Sequence, residues 1–236
     1  MTLDRVTITG ADDHTSILEM VDISEEFPFV EWGILVSKSR EGSARYPSRR
    51  WCRELTEHVH PEHTKRERVA MHVCGLWARQ VFDGSLLWSD IPSVRLIAQR
   101  FQINGKPPEF PANLNAVNSW VSTQFIFQVP SASKFAVTLR ESKGDAAVLF
   151  DRSGGHGKSP SELERPWPTW YCGWAGGIGP DNARETAQRI ETMAPRQPFW
   201  LDMEGRVRDE DDRLDMRKVV QVLESVKGLV NAGVTP

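Results

Sequence analysis

Cysteine is scarce: Cys52, Cys74 and Cys172 are the three in 236 residues. They are too few and too scattered for a disulfide scaffold or a zinc knuckle. No apolar run approaches the roughly 18 residues needed to cross a bilayer, and no basic-then-apolar segment opens the chain as a secretory leader would. An excess of one charge is also lacking. The 29 Lys and Arg against 32 Asp and Glu leave a net charge of −3, which gives no field to gather nucleic acid or an anionic membrane. Linkers, sequence repeats and low-complexity tails are missing. These absences lead us to expect a reduced, cytoplasmic protein, monomer or homodimer, with one domain over residues 1–236. His58, His60 and His63 sit in a charged, irregular stretch. A spacing of two does not share a helix face, so no metal site is expected.

What is present is alternation. Strand-type runs read at 5–10, 29–36, 69–74, 94–103, 124–129, 146–151, 171–175 and 199–203. Helical spacing reads at 14–20, 49–58, weakly from 76, then at 113–122, 133–141, 183–193 and 215–230. Asp12 and Asp13 are candidate caps for the first helix, and Asn113 opens another. Strands alternating with helices imply a parallel sheet, and eight such units in this length imply a closed (β/α)8 TIM barrel. Of nine tryptophans several fall near strand ends; packing is the plain reading, stacking on a flat ligand the other.

Two apolar runs end in glycine loops. Ala146-Ala147-Val148-Leu149-Phe150-Asp151 precedes Gly154-Gly155-His156-Gly157-Lys158, and Tyr171-Cys172-Gly173-Trp174-Ala175 precedes Gly176-Gly177-Ile178-Gly179-Pro180-Asp181-Asn182. Uninterrupted apolar runs are the mark of buried parallel strands, and glycines after them let backbone amides approach a ligand. The second loop feeds the 183–193 helix, whose first N–H groups and dipole favour an anion. The first run carries an acid, Asp151, to the same rim. In a barrel the active site lies at the C-terminal strand ends and alternate residues face the lumen. Thr7, Thr9, Ala147, Leu149 and Asp151 then point inward, as do the polar Glu31, His72, Gln102, Gln128, Asp202 and Glu204. So polar a lumen needs either mutual hydrogen bonding or a polar ligand.

These motifs resemble those of the phosphoribosylanthranilate isomerases of tryptophan biosynthesis. Val6-Thr7-Ile8-Thr9-Gly10 is similar to the family's first strand, which ends in Cys-Gly. Ser43-Ala44-Arg45-Tyr46-Pro47-Ser48 is similar to its Ser-Pro-Arg-Tyr segment, and Phe101-Gln102-Ile103-Asn104-Gly105 to its Gln-Leu-His-Gly. The two glycine loops resemble its Gly-Gly-Thr-Gly-Lys and Ala-Gly-Gly-Leu-Asn-Pro-Glu-Asn loops. The resemblance implies a cofactor-free Amadori rearrangement of a small anionic, phosphorylated metabolite. Asp151 would be the general acid. Arg45 would meet a carboxylate, and Gly176 and Gly177, with Gly155, Gly205, Arg206 and Gln102 around them, would bind the substrate. Two positions depart from the pattern. Thr9 replaces the family's basic cysteine, and a neutral hydroxyl is no base near neutrality; Glu31, His72 and Glu204 are the other candidates. Asp202-Met203-Glu204-Gly205-Arg206-Val207 replaces Asp-Val-Ser-Ser-Gly-Val, which brings a carboxylate to the phosphate's edge, offset by Arg206 or Lys158. A barrel that binds an anion without catalysis, or one with different chemistry built on Glu204 and Arg206, stays open.

Overall fold

The computed structural model describes residues 2–59, 68–105, 124–129, 146–151 and 163–231. Eight parallel strands close on themselves in chain order: β1 (Leu3–Thr9), β2 (Val30–Val36), β3 (Arg68–Cys74), β4 (Arg100–Asn104), β5 (Gln124–Gln128), β6 (Ala146–Asp151), β7 (Cys172–Ala175) and β8 (Phe199–Met203). β8 returns to β1 through the pairs Val6 with Leu201 and Thr7 with Asp202. The helices described around them are α1 (Ile17–Glu26), α2 (Arg49–His58), α3 (Leu76–Asp83), α4 (Ala183–Met193) and α5 (Met216–Val226). This is the (β/α)8 TIM barrel that the alternation implies. The helices expected at 113–122 and 133–141 lie outside the described residues.

The alternation of each strand sorts its side chains into two environments. Val6, Ile8, Trp32, Ile34, Val69, Met71, Val73, Phe199 and Leu201 face outward into the main core, all nearly inaccessible. The amphipathic helices cover them: Val219, Val222, Leu223 and Val226 of α5 are each fully buried. Burying such side chains contributes about 1.5–3 kcal/mol apiece. The indole of Trp32 donates to Ser24 Oγ at 2.9 Å, so its polar edge is not stranded there. A separate lumen cluster joins Ile126, Ala147, Leu149 and Trp200.

Two local expectations are corrected. Ser16, not Asp12 or Asp13, caps α1 by accepting from the Glu19 amide. Asp12 turns instead to the His14 and Arg45 amides, and Asp13 to Ser48, so both acids tie loops together at the barrel mouth. The strand expected over 94–103 begins only at Arg100. Ser93–Leu96 is a 3-10 turn behind Pro92, with Ile91, Val94 and Ile97 buried at a spacing of three. That spacing is the 3-10 period, and it mimics an apolar strand in sequence.

Candidate functional site

A cavity of about 1220 Å³ opens at the C-terminal ends of the strands, where a barrel keeps its chemistry. Its floor is the polar layer of the lumen. Thr9 Oγ1 donates to Asp202 Oδ1 at 2.9 Å. The amide of Gln102 reaches Asp202 Oδ2 at 3.3 Å, Asn104 Oδ1 at 3.0 Å and His72 Nδ1 at 3.2 Å. All four of Thr9, His72, Gln102 and Asp202 are buried. Burial dominates the ionisation of Asp202 and His72. It pushes the Asp202 carboxyl up to about 7, with Glu204 and Glu31 adding to the effect against the hydrogen bonds of Thr9 and Gln102. It drives His72 down to about 3, so this ring is neutral. Cys74, on the wall beside Asn104 and Tyr46, is pushed up to about 11 by burial. It is a thiol near neutrality and does not replace the missing basic cysteine.

Asp151 ends β6 and Ala175 ends β7, paired in register; Trp174 pairs with Leu201 on β8. Asp151 and Asp202 therefore stand on strands separated by β7, roughly 10 Å apart at two interstrand spacings. Both line the cavity, and the gap suits a small sugar. Beyond Ala175 the chain turns through Gly176 at φ +92° and Gly177 at φ +63°, a left-handed path that only glycine follows without strain. Asn182 locks the far side of this turn: its side chain accepts from the Gly179 amide and donates to the Gly177 carbonyl, both at 2.9 Å. The amides of Gly176, Gly177 and Ile178 find no hydrogen-bond partner among the described residues, and all three residues line the cavity. Unpaired amides converging at a strand–helix turn make an anion cradle. Gly205 and Arg206 form the facing edge.

Arg206 and Arg45, two of the cations expected there, are engaged. Arg206 pairs with Asp181, and its stem packs over Gly179, where an added Cβ would stand 2.5 Å from Arg206 Cβ. Arg45 has φ +71° and gives its guanidinium to Glu204 Oε1 at 2.6 Å and to both oxygens of Asp212. Arg208 holds the same Asp212 from the other side and bonds the Gly10 carbonyl at 2.8 Å. Glu204 is thus half of a bridge between the β2 and β8 loops rather than a bare charge at the cradle.

Of the residues singled out in the sequence, Thr9, Arg45, His72, Gln102, Asp151, Gly176, Gly177, Glu204, Gly205 and Arg206 line this cavity. Gly155 and Lys158 lie outside the described residues. Glu31 points inward as expected but at the opposite end of the barrel. It accepts from Arg5 at 3.0 Å and Thr7 at 2.8 Å and meets Arg100 at 3.4 Å. Although burial opposes it, Arg100 and Arg5 hold this carboxyl below its usual range. It does not reach the cavity and is removed from the candidate bases. His58 binds the Glu54 carbonyl through its ring, His60 and His63 lie outside the described residues, and no metal-holding group of three or more His, Cys, Asp or Glu occurs among the described residues. The sequence placed Asp202 inward without a role. Cys74 and Asn104 were missed, although the alternations His72, Cys74 and Gln102, Asn104 carry the signal.

The fold and mouth define a (β/α)8 barrel with a polar floor and an amide cradle. No protein-family model and no curated protein sequence matches the chain. Among solved structures it is similar to phosphoribosyl anthranilate isomerase from Thermus thermophilus (TM-score 0.61, 18% identity, 95% of this chain and 99% of that one). It is also similar to N-(5'-phosphoribosyl)anthranilate isomerase from Pyrococcus furiosus (0.59, 16%, 95% and 98%). A third is the phospho-2-dehydro-3-deoxyheptonate aldolase of Thermotoga maritima (0.52, 10%, 95% and 69%). At these identities the likeness is one of fold. No helix among the described residues is long and apolar enough to cross a membrane.

Proposed function

We propose that the protein is an Amadori-type aldose–ketose isomerase acting on a phosphorylated sugar amine. The observation that carries this reading is the pairing of one acid, Asp151, with the unpartnered amides of Gly176, Gly177 and Ile178 around a single cavity. The cradle takes the phosphate. Asp151 gives a proton to the ring oxygen as the nitrogen lone pair opens the ring to an iminium. Loss of a proton from C2 then yields the enolamine, which becomes the ketone. The reaction needs positioned acid and base groups and no cofactor. The likeness in fold to two isomerases of this reaction supports the reading.

Turnover of N-(5'-phosphoribosyl)anthranilate tests it. Removing a general acid costs about 100- to 10,000-fold, so Asp151→Asn should lose at least 100-fold in kcat; equal turnover by both proteins removes Asp151 from the reaction. Phosphate in excess should raise Tm, because a ligand that binds only the folded state stabilises it. One observation favours a second reading, anion binding without catalysis: the first strand ends in the Thr9 hydroxyl instead of a thiol. That reading expects the rise in Tm with phosphate and no turnover.

A further inference from the structure

Resting on the isomerase reading, we infer that the base has moved from the first strand to the eighth: Asp202 takes the C2 proton, Thr9 positions it, and the neutral His72 ring donates to the C2 oxygen. Thr9 occupies the place of the expected base, but its hydroxyl proton is committed to Asp202 Oδ1 at 2.9 Å. It therefore aims a carboxylate and cannot itself accept a proton from carbon. Asp202 Oδ2 has the weaker contact of the two, the Gln102 amide at 3.3 Å, and is the oxygen left to work.

The tautomer of His72 follows from its neighbours. The Gln102 amide nitrogen, not its oxygen, must face Asp202 Oδ2 and Asn104 Oδ1, since an oxygen there would oppose two acceptors. The same NH₂ lies 3.2 Å from His72 Nδ1 and shares its two hydrogens among three acceptors; with Nδ1 accepting, Nε2 carries the ring hydrogen. Among the described residues that Nε2–H and Gln102 Oε1 are buried without a partner, on residues that line the cavity. A buried donor without an acceptor needs an explanation, and a ligand oxygen supplies one. Gly33 keeps the space clear. A Cβ there would stand 2.3 Å from Thr9 Oγ1 and 3.0 Å from His72 Nε2, so any larger residue would push both groups from their places. Burial lifts Asp202 to about 7, helped by Glu204 and Glu31, and keeps His72 neutral. A base poised near neutrality beside a fixed neutral donor is suited to enolisation.

The step balances. Asp202 carboxylate takes the C2 proton; the C–H pair forms C1=C2, and the C=N pair returns to nitrogen. The resulting Asp202 acid gives its proton to C1, where the C1=C2 pair forms the new C–H bond; the O–H pair at C2 becomes the C=O double bond facing His72, and the hydroxyl proton leaves to water. That last proton replaces the one Asp151 gave to the ring oxygen.

The test compares wild type, Asp202→Asn, Thr9→Val and Asp151→Asn. With N-(5'-phosphoribosyl)anthranilate, Asp202→Asn should lose at least 100-fold in kcat with KM within threefold. The acid limb of the wild-type kcat/KM profile, set near pH 7, should vanish with it. Thr9→Val should lower kcat by less than Asp202→Asn does while the limb moves to higher pH, because the lost hydrogen bond had aimed the carboxylate and favoured its charged form. An Asp202→Asn variant within threefold of wild type overturns the assignment, as does a Thr9→Val loss equal to that of Asp202→Asn; both leave the isomerase reading standing. The profiles of wild type and Thr9→Val need no change at Asp202, so the test survives if Asp202→Asn does not fold. If wild type does not turn the anthranilate over, the isomerase reading fails, and wash-in of solvent deuterium into ribulose 5-phosphate decides the base. Exchange by wild type that Asp202→Asn abolishes upholds it, and absence of exchange by wild type overturns it.

Discussion

A buried carboxyl with an acid constant near 7 has a consequence for stability as well as chemistry. In the folded chain Asp202 holds its proton up to about pH 7, whereas its ordinary value is 3.8. The folded state therefore binds the proton more tightly, and its stabilising effect is fully present below pH 4 and lost as pH rises through 7. Asp202→Asn keeps the acceptor for Thr9 and removes the titration. The variant should gain on wild type between pH 5 and pH 8, by an amount on the order of a few kcal/mol, seen as a widening Tm difference in thermal melts at the two pH values. A constant difference would mean that Asp202 ionises in the folded protein as it does in water. At this scale the sequence showed Asp151, Gly176 and Gly177, whose meaning lies in adjacent residues. It did not show what Asp202 touches, because its partners Thr9 and Gln102 are 193 and 100 residues away. The partners of Arg45 were hidden for the same reason: Glu204 and Asp212, which hold it, are more than 150 residues along the chain.

The elements were largely legible because each strand faces two environments and each covered helix shows one apolar face. α2, α4 and β8 fall on their expected bounds; β4 starts late because a 3-10 turn after Pro92 counterfeits a strand. The lumen face of β7 carries a less visible constraint. Gly173 lies in an extended strand, so its backbone conformation does not require glycine. Its neighbour does: a Cβ at Gly173 would stand 2.1 Å from Cε2 of Trp200, a fully buried ring under the Arg100 guanidinium, 4.3 Å from the ring centroid. Neither the ring nor the strand has room to give. Gly173→Ala should cost about 2–3 kcal/mol from overpacking and lower Tm by roughly 5–10 °C. A melting point within a degree of wild type would show that Trp200 has a second place to go. Glycine in a strand hints at close approach, but the sequence alone does not say that a tryptophan on the next strand is what approaches.

Across the whole molecule, the lumen divides into two polar ends with different work. At the N-terminal end Asp4, Arg5, Glu31, Arg68, Arg100 and Tyr171 make a network: Arg5 binds Asp4 at 2.7 Å and Glu31 at 3.0 Å, and Tyr171 donates to Asp4 at 2.5 Å. Arg100 makes an ion contact at 3.4 Å without a hydrogen bond among the described residues and rests on Trp200 and Tyr171 instead. At the C-terminal end the polar groups are left with free donors and a cavity above them. In a barrel, polarity at the first end serves stability and at the second serves chemistry. Glu31→Gln separates the two, since it leaves the buried Arg100 without the counter-charge it meets and Arg5 with Asp4 alone. Breaking a buried pair from one side costs about 3–5 kcal/mol, so the variant should melt well below wild type. Once folded, at a temperature safely below that melt, its kcat on N-(5'-phosphoribosyl)anthranilate should stay within twofold of wild type, because Glu31 does not reach the cavity. The same carboxylate was a candidate base when only the strand alternation was considered, and a collapse of kcat in folded Glu31→Gln would restore it. Stability lost with rate retained, against rate lost with stability retained or improved in Asp202→Asn, is the pair of outcomes that a barrel with its two ends divided in this way requires.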